Sequence, residues 1–135
     1  MKRAVELKAL SKDHHRALVM ALKAKRAAPA SSAAIAELWQ ELAHYYSTEL
    51  IPHFTVEETC IGIPLVVAGE NELVQQLHEE HKAIGRYFES GASRTASELE
   101  RFGHLLEQHV RFEERELFNV AQAVLSVEQL RSLLE

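Results

Sequence analysis

The sequence contains one polar pattern twice, and this repetition constrains the fold more than any other feature. Residues 13–18 (DHHRAL) resemble residues 79–84 (EEHKAI), and residues 53–58 (HFTVEE) resemble residues 109–114 (HVRFEE). The two patterns alternate along the chain, so the protein consists of two similar halves. Each half supplies one His from its first segment and a His-x-x-x-Glu pair from its second. Two halves that bring the same ligand set to a shared interior predict a site for two metal ions.

The periodicity of apolar residues predicts an all-α protein. The five glycines and three prolines fall mostly between the periodic segments, and no stretch alternates apolar and polar residues as a strand would. Each long periodic segment is predicted to form one helix. The four long helices are predicted over residues 3–27, 31–60, 70–90 and 95–125.

The connections between these helices predict the topology. A capping box formed by Ser126 and Gln129 predicts a short fifth helix at the C-terminal end. Pro52 is expected to bend or split the second helix, and residues 61–69 are expected to form an apolar loop. Long helices with short connections predict a single domain over residues 1–135, folded as an up-down-up-down antiparallel four-helix bundle.

Polar side chains occupy helix positions that the periodicity assigns to the core. On the third predicted helix, His81 stands in the middle of an apolar stripe, and the stripe of the fourth includes His109 and Glu113. The second helix carries His53 and Glu57 in the same way. A carboxylate that loses its water without a partner is costly, so a Glu four positions after a buried His indicates a cation site. The i, i+4 spacing places both side chains on one helix face.

The first helix offers two candidate ligands, His14 and His15. Its apolar stripe favours His14, whereas the alignment of the repeat with His81 favours His15. Leu18 and Leu22 also support His15, so we predict His15 as the ligand and His14 as a neighbouring or surface group. Four imidazoles and two carboxylates are too many donors for one tetrahedral ion. They suit two five- or six-coordinate ions that the carboxylates bridge.

Other polar residues near these positions have open roles. Tyr46 lies on the predicted buried face, either as a core aromatic or as a hydrogen-bond donor to a ligand. Cys60 lies on the same predicted buried face and is interpreted as a small apolar residue or a redox-sensitive thiol. Glu58 and Glu114 repeat one position after the predicted ligands, which favours solvated faces or contacts with the ligands, with Glu58 as an alternative extra ligand. His78 is assigned to the rim of the site.

Taken together, these positions resemble the hemerythrin-like family, the HHE cation-binding domain. Members have a His on helix 1, His-x-x-x-Glu on helix 2, a His on helix 3, and His-x-x-x-Glu or His-x-x-x-x-Asp on helix 4. The resemblance covers nearly the whole chain. It implies a non-haem centre of two iron ions inside the bundle, joined by the carboxylates and by an oxo or hydroxo group. The implied ligands are His15 (or His14), His53, Glu57, His81, His109 and Glu113.

The chain departs from the oxygen-carrying hemerythrins in two places. Those proteins have a second His four residues before the helix-3 ligand, where this chain has Leu77, and they end with His-x-x-x-x-Asp, where it has His109-x-x-x-Glu113. The resemblance therefore implies a di-iron protein that binds or senses O2, NO or peroxide, or that handles iron. The alternatives are a di-iron enzyme that decomposes peroxide or reduces nitric oxide, and an iron donor for cluster repair.

Charge and composition limit the classes of partner that we expect for this protein. The net charge of −5 comes without a basic stripe, which argues against nucleic acid. The charged N-terminal residues argue against a signal peptide, and the longest uncharged run, residues 59–69, is too short to cross a bilayer. The single Cys cannot form an intrachain disulfide. We therefore expect a cytoplasmic protein without a membrane partner, either a monomer or a homodimer.

Overall fold

The computed structural model describes residues 2–135, and these residues are almost entirely helical, with no strand among them. Several long helices pack together as a helical bundle, which confirms the all-α prediction, while the up-down-up-down order of the helices stays a prediction. The α-helices are α1 (Lys8–Lys25), α2 (Ser32–Tyr45), α3 (Ile51–Val56), α4 (Ile63–Val67), α5 (Asn71–Arg86), α6 (Ala96–Phe112), α7 (Phe118–Val124) and α8 (Val127–Arg131).

Three π-helical segments join these helices into two long runs. Tyr46–Leu50 connects α2 to α3, Glu57–Gly62 connects α3 to α4, and Glu113–Leu117 connects α6 to α7. A π-helical turn is closed by an i→i+5 hydrogen bond, so it contains about one residue more than an α-helical turn, and it is frequent at functional sites. Two of the three segments begin at Glu57 and Glu113, the Glu residues of the repeated pattern.

The first long run continues through both of its prolines. Pro52 and Pro64 lie in the first turns of α3 and α4, directly after π-helical segments. Proline lacks the N–H donor, and the first turn of a helix is where that loss costs least. The helix is therefore not split at Pro52, and the predicted loop over residues 61–69 is wrong, because the helix extends to Val67.

The predicted starts of the second, fourth and short last helices are confirmed by their caps, whereas α1 begins at Lys8 and not at residue 3. The side chains of Ser31 and Thr95 each accept a hydrogen bond from the backbone N–H three residues later. Ser126 and Gln129 form the complete capping box at the start of the short last helix. The third long helix ends at Arg86, before the predicted end at residue 90.

The apolar core is divided into two clusters, and every long helical run contributes to both. On α1, for example, Leu10 belongs to one cluster and Ala17 to the other, with His14 between them in the sequence. Each fully buried large apolar side chain contributes roughly 1.5–3 kcal/mol to stability. The free energy gained by burying the two clusters therefore offsets the cost of burying the polar residues that lie between them. The largest fully buried side chains are Trp39, Phe102, Phe118, Leu7, Met20, Leu42, Ile61, Leu65, Leu77, Ile84, Leu99 and Leu106.

One helical run of the described residues, Ser32–Val67, is long and apolar enough by length and composition to cross a membrane. This is weak evidence for a membrane span, because the core helix of a soluble protein passes the same test. The run carries the buried polar residues His53 and Glu57. The expected absence of a membrane partner stays a prediction.

Candidate metal centre

Six polar side chains meet in the interior, between the two apolar clusters. The two carboxyl groups are fully buried, and none of the four imidazoles is more than 7% exposed. Burial removes the water that would otherwise solvate these groups, so each of them needs a partner inside the protein. The six residues are His14, His53, Glu57, His81, His109 and Glu113.

The six side chains form two groups that share both carboxylates. One group combines His14 and His53 with the two carboxylates, and the other combines His81 and His109 with the same two. Within each group, one donor atom from every residue lies within 4.8 Å of the others. We refer to these groups as the His14–His53 position and the His81–His109 position.

Each carboxylate presents one oxygen to each position. Glu57 Oε2 lies 3.0 Å from His53 Nε2, while its Oε1 lies 3.2 Å from His81 Nε2. Glu113 does the same with the other two imidazoles: its Oε1 lies 2.6 Å and its Oε2 3.1 Å from the nearest Nε2. Both carboxylates are therefore placed to bridge two neighbouring ions.

Four buried atoms of the cluster lack a hydrogen-bond partner: Nε2 of His53 and His109, and Oε2 of Glu57 and Glu113. The two nitrogens lie 3.0 and 3.1 Å from a carboxylate oxygen without forming a hydrogen bond to it. His53 Nε2 and Glu57 Oε2 face one position, while His109 Nε2 and Glu113 Oε2 face the other, so a cation at each position would supply the missing partners. Imidazole nitrogen with carboxylate oxygen is a donor set that suits divalent transition metals, so the residues fit a metal.

Comparison with known proteins agrees with this geometry. The family model of the hemerythrin HHE cation-binding domain matches residues 7–121. The chain belongs to this family. Curated proteins and solved structures gave no match. The matched range contains all six residues of the cluster, so the family and the geometry agree on cation binding.

The cluster takes its first imidazole from His14, and His15, which the repeat favoured as the ligand, lies outside the cluster. His14 is 5% exposed and belongs to the cluster, whereas the side chain of His15 is exposed. The buried face of α1 keeps the regular spacing of its apolar stripe, from Leu10 through His14 to Ala17. Leu18, which supported His15, is 40% exposed.

Adjacent substitutions on α1 test this assignment. We expect His14→Ala to lose one of two bound ions, because the His14–His53 position then keeps one imidazole, and His15→Ala to retain both ions. Metal analysis of the two purified variants, loaded in parallel with the wild type, measures the difference. Loss of metal from His15→Ala would contradict the assignment.

Each imidazole of the hemerythrin-like centre is also held from outside by a second carboxylate. The contact is made through Nδ1, while Nε2 faces the centre. An imidazole that donates its Nδ1 proton to a carboxylate keeps the lone pair of Nε2 free for a metal, so these contacts fix the tautomer that coordinates. The pairs are His14 with Glu114 (2.6 Å), His53 with Asp13 (3.0 Å), His81 with Glu58 (2.7 Å) and His109 with Glu80 (2.6 Å).

Two of these outer acids were missed by the sequence analysis, although the repeat contained the signal. Aligning residues 13–14 with residues 80–81 places an acid directly before the ligand in both halves. The predicted alignment was one residue out of this register, and it therefore favoured His15. The other two outer acids, Glu58 and Glu114, were predicted either to face solvent or to contact the ligands, and the structure shows the contacts.

The carboxylates hold protons on the imidazoles of the metal-free protein. Burial alone would lower the pKa of His53, but the adjacent carboxylates of Glu113 and Glu57 outweigh it and raise that pKa to about 11. The same balance raises the pKa of His109 to about 10 and that of His14 to about 9. Protons and metal ions therefore compete for the same imidazoles.

The stability of the metal-free protein should fall as the pH rises above neutrality. The pKa values of His14, His53 and His109 lie above the 6.5 of a free imidazole, so the folded state binds more protons than the unfolded chain. The resulting stability is complete below pH 6.5 and is lost as the pH passes through the raised values. We expect calorimetry to show a melting temperature at least about 10 °C lower at pH 9 than at pH 6.5, because each proton held across this range is worth about 1.4 kcal/mol per pH unit. A His14→Gln variant should show a smaller decrease, and equal decreases would contradict this account.

A cavity of about 300 Å³ adjoins the His14–His53 position. Tyr45 lines it and is 3% exposed, and its hydroxyl makes no hydrogen bond to the described residues. Burial raises the pKa of Tyr45, so its hydroxyl remains a neutral donor. Tyr46, the tyrosine predicted near the site, lies in a different groove, where its hydroxyl packs against Gly85.

The π-helical segments explain why the predicted buried face was wrong at two positions. Tyr45 and Ile61 are buried where Tyr46 and Cys60 had been predicted, and these two are only half-buried. A wider turn changes the rotation between the side chains before it and those after it, so a strict 3.6-residue period carried across it assigns the wrong neighbour. His78 lies on the rim as predicted, with Nδ1 3.5 Å from an oxygen of an outer acid.

Proposed function

We propose that this domain binds two iron ions, one at the His14–His53 position and one at the His81–His109 position. The observation that carries the proposal is the sharing of the carboxylates, because Glu57 and Glu113 each direct one oxygen to each position. Two imidazoles and two carboxylate oxygens leave five- or six-coordinate ions with room for a solvent-derived oxo or hydroxo bridge and for an external ligand. Bound iron would supply reversible ligand binding and redox chemistry.

The external ligand that we propose is a small diatomic or redox molecule: O2, NO or peroxide. The cavity beside the His14–His53 position is lined mainly by apolar side chains, including Leu10, Leu50 and Val110, and the acids Asp13 and Glu49 also line it. The apolar part of this wall suits an uncharged small molecule. Tyr45 adds one neutral hydrogen-bond donor to this wall. The chain's own residues therefore select for size and polarity before a ligand reaches the centre.

The charge distribution supports binding or redox sensing over oxidative attack on a substrate. Neutral imidazoles outnumber carboxylates around the ions, which leaves two divalent ions with a net positive charge. The four outer acids add negative charge one step further out, and they are partly exposed, so solvent weakens their field. Their field favours the more positive, oxidised state of the centre, which supports a sensor that responds to oxidation.

We also propose the up-down-up-down order of the long helices. Leu10 and Leu77 belong to the same apolar cluster, and each precedes the His of its helix by four residues. Ile61 and Leu117 belong to that cluster too, but each follows the Glu of its helix by four residues. Successive helices therefore cross the polar layer in alternating directions, as antiparallel neighbours do.

Metal analysis of the full chain, purified from iron-replete cells, tests the proposal. We expect about two irons per chain and an oxo-to-iron charge-transfer absorption in the near ultraviolet. Addition of NO or peroxide should change the absorption spectrum until the added molecule is stoichiometric with the protein, and no further reaction should follow. Continuous consumption of peroxide or NO would favour a di-iron enzyme instead, and rapid loss of iron to a weak chelator would favour an iron donor. A chain that binds no metal under any of these conditions would overturn the proposal.

A further inference from the structure

The two halves of the centre differ in what holds the outer acid that follows each bridging Glu. Glu114, the outer acid of the first imidazole, accepts a hydrogen bond from Ser11 Oγ at 2.8 Å, and its Oε1 lies 3.2 Å from Nη2 of Arg3. Glu58 takes the corresponding place in the other half. Among the described residues, its further partner is His78 at 3.5 Å. An arginine therefore supports only one of the two positions.

The guanidinium of Arg3 is fixed on several sides. Its Nη2 donates to the backbone carbonyl of Glu114 at 2.7 Å, and its Nη1 donates to Asn119 Oδ1 and Gln122 Oε1, both at 3.1 Å. The same group lies 5.5 Å from the ring centroid of Phe118. The planar fork of an arginine can satisfy these acceptors together, whereas a lysine ammonium cannot reproduce the geometry.

Arg3 contacts both groups that orient His14. Phe118 stacks on the imidazole with the ring planes 8° apart and the centroids 5.3 Å apart, and the outer acid holds Nδ1. Residues 2–4 are docked on the same surface, because Gln122 accepts from the backbone N–H of residue 4 and donates to the carbonyl of residue 2. The side chain of Arg3 therefore connects the N-terminal segment to the groups that contact His14.

We propose that Arg3 is a positioning residue that holds His14 in its metal-binding orientation through Glu114. The consequence is that the His14–His53 position depends on the docking of residues 2–4, whereas the His81–His109 position does not. The side chains of Arg3 and Glu114 are 21% and 31% exposed, so solvent screens their pairing less than that of a surface pair. This inference rests on the proposed two-ion centre.

The expected effect is a selective change in metal retention. Removal of an outer partner of a metal-bound imidazole costs about 10–100-fold in metal affinity. Because Arg3 acts through Glu114, we expect Arg3→Gln to speed the release of one ion by about tenfold, at the lower end of that range. The other ion should leave at the wild-type rate.

The experiment follows the release of Zn²⁺ from the loaded full-length chain to a colorimetric chelator. Arg3→Gln is compared with Arg101→Gln, which removes an arginine paired with Glu98 at the surface. The ion is assigned in two backgrounds: Arg3→Gln should speed release in His81→Ala and leave it unchanged in His14→Ala. Arg3→Lys should behave like Arg3→Gln, since a lysine lacks the fork.

A double variant separates positioning from general loosening of the N-terminal segment. If Arg3 acts through Glu114, Arg3→Gln adds little to the release rate of a Glu114→Gln variant, whereas unrelated effects would multiply. The inference is overturned if Arg3→Gln speeds the release of both ions equally, or if its effect multiplies fully with that of Glu114→Gln. Either result leaves the two-ion centre intact. A wild-type chain that takes up no Zn²⁺ would overturn both.

Discussion

Metal binding is expected to raise the melting temperature of the metal-free protein by about 15 °C or more. Without a cation, two fully buried carboxyl groups and four buried imidazoles face one another, and four of their atoms lack hydrogen bonds. An ion that binds only the folded state at 100 times its Kd stabilises that state by about 2.7 kcal/mol per site. Each kcal/mol raises the melting temperature of a domain of this size by about 3–5 °C, so two sites together give the expected increase.

The measurement is a calorimetric melt of the chelator-treated chain with and without added Fe²⁺ under anaerobic conditions, repeated with Zn²⁺. The matched control is His15→Ala, which lies next to a cluster residue but has an exposed side chain, and it should show the wild-type increase. Identical melting curves with and without metal would mean that the imidazoles and carboxylates satisfy one another as an ordinary polar core. That result would remove the basis for the two-ion centre.

Most of the metal centre could be predicted because a buried polar residue breaks an apolar stripe visibly. Five polar residues occupy positions where the helical period demands an apolar side chain, and all five are buried together in the structure. They are His53, Glu57, His81, His109 and Glu113. Repetition of the pattern made the interpretation stronger than any single position would. The helices themselves followed from the same period and from the caps.

What the sequence analysis missed has two physical causes. The π-helical segments add about one residue to a turn, and nothing in the local composition marks where they begin. The prediction therefore placed Tyr46 and Cys60 on the buried face, where the structure has Tyr45 and Ile61. The second cause is the His-His pair of α1. A repeat aligned by its basic and aliphatic residues favoured His15, whereas the acids that contact the imidazoles align His14 with His81.

In each half, two consecutive Glu residues contact the two ring nitrogens of one imidazole. His81 lies between Glu57, 3.2 Å from its Nε2, and Glu58, 2.7 Å from its Nδ1. Glu113 and Glu114 hold the first imidazole in the same way, each at 2.6 Å. Neighbouring residues on a helix point in different directions, so one Glu faces the ions while the next reaches around the ring. The two members of a pair should therefore differ sharply in what their loss does to metal binding.

Glu113→Gln is expected to abolish binding of both ions at metal concentrations that saturate the wild type. The substitution keeps the size of the side chain but removes the charge of a carboxylate whose two oxygens face different positions. Loss of an outer partner already costs about 10–100-fold in metal affinity, so loss of a shared ligand should cost at least about 100-fold at both positions. His14→Ala touches one position and should leave the other ion bound.

Metal stoichiometry and titration of the purified chains measure this difference, with circular dichroism to verify that each variant is helical. Glu116→Gln is the matched control, because it changes an exposed Glu of the same π-helical segment and should bind two ions. Glu114→Gln should retain both ions but release one of them faster, since that carboxylate contacts a single imidazole. If Glu113→Gln loses only one ion, the carboxylate serves one position, and the two ions are not bridged as the geometry of its oxygens indicates.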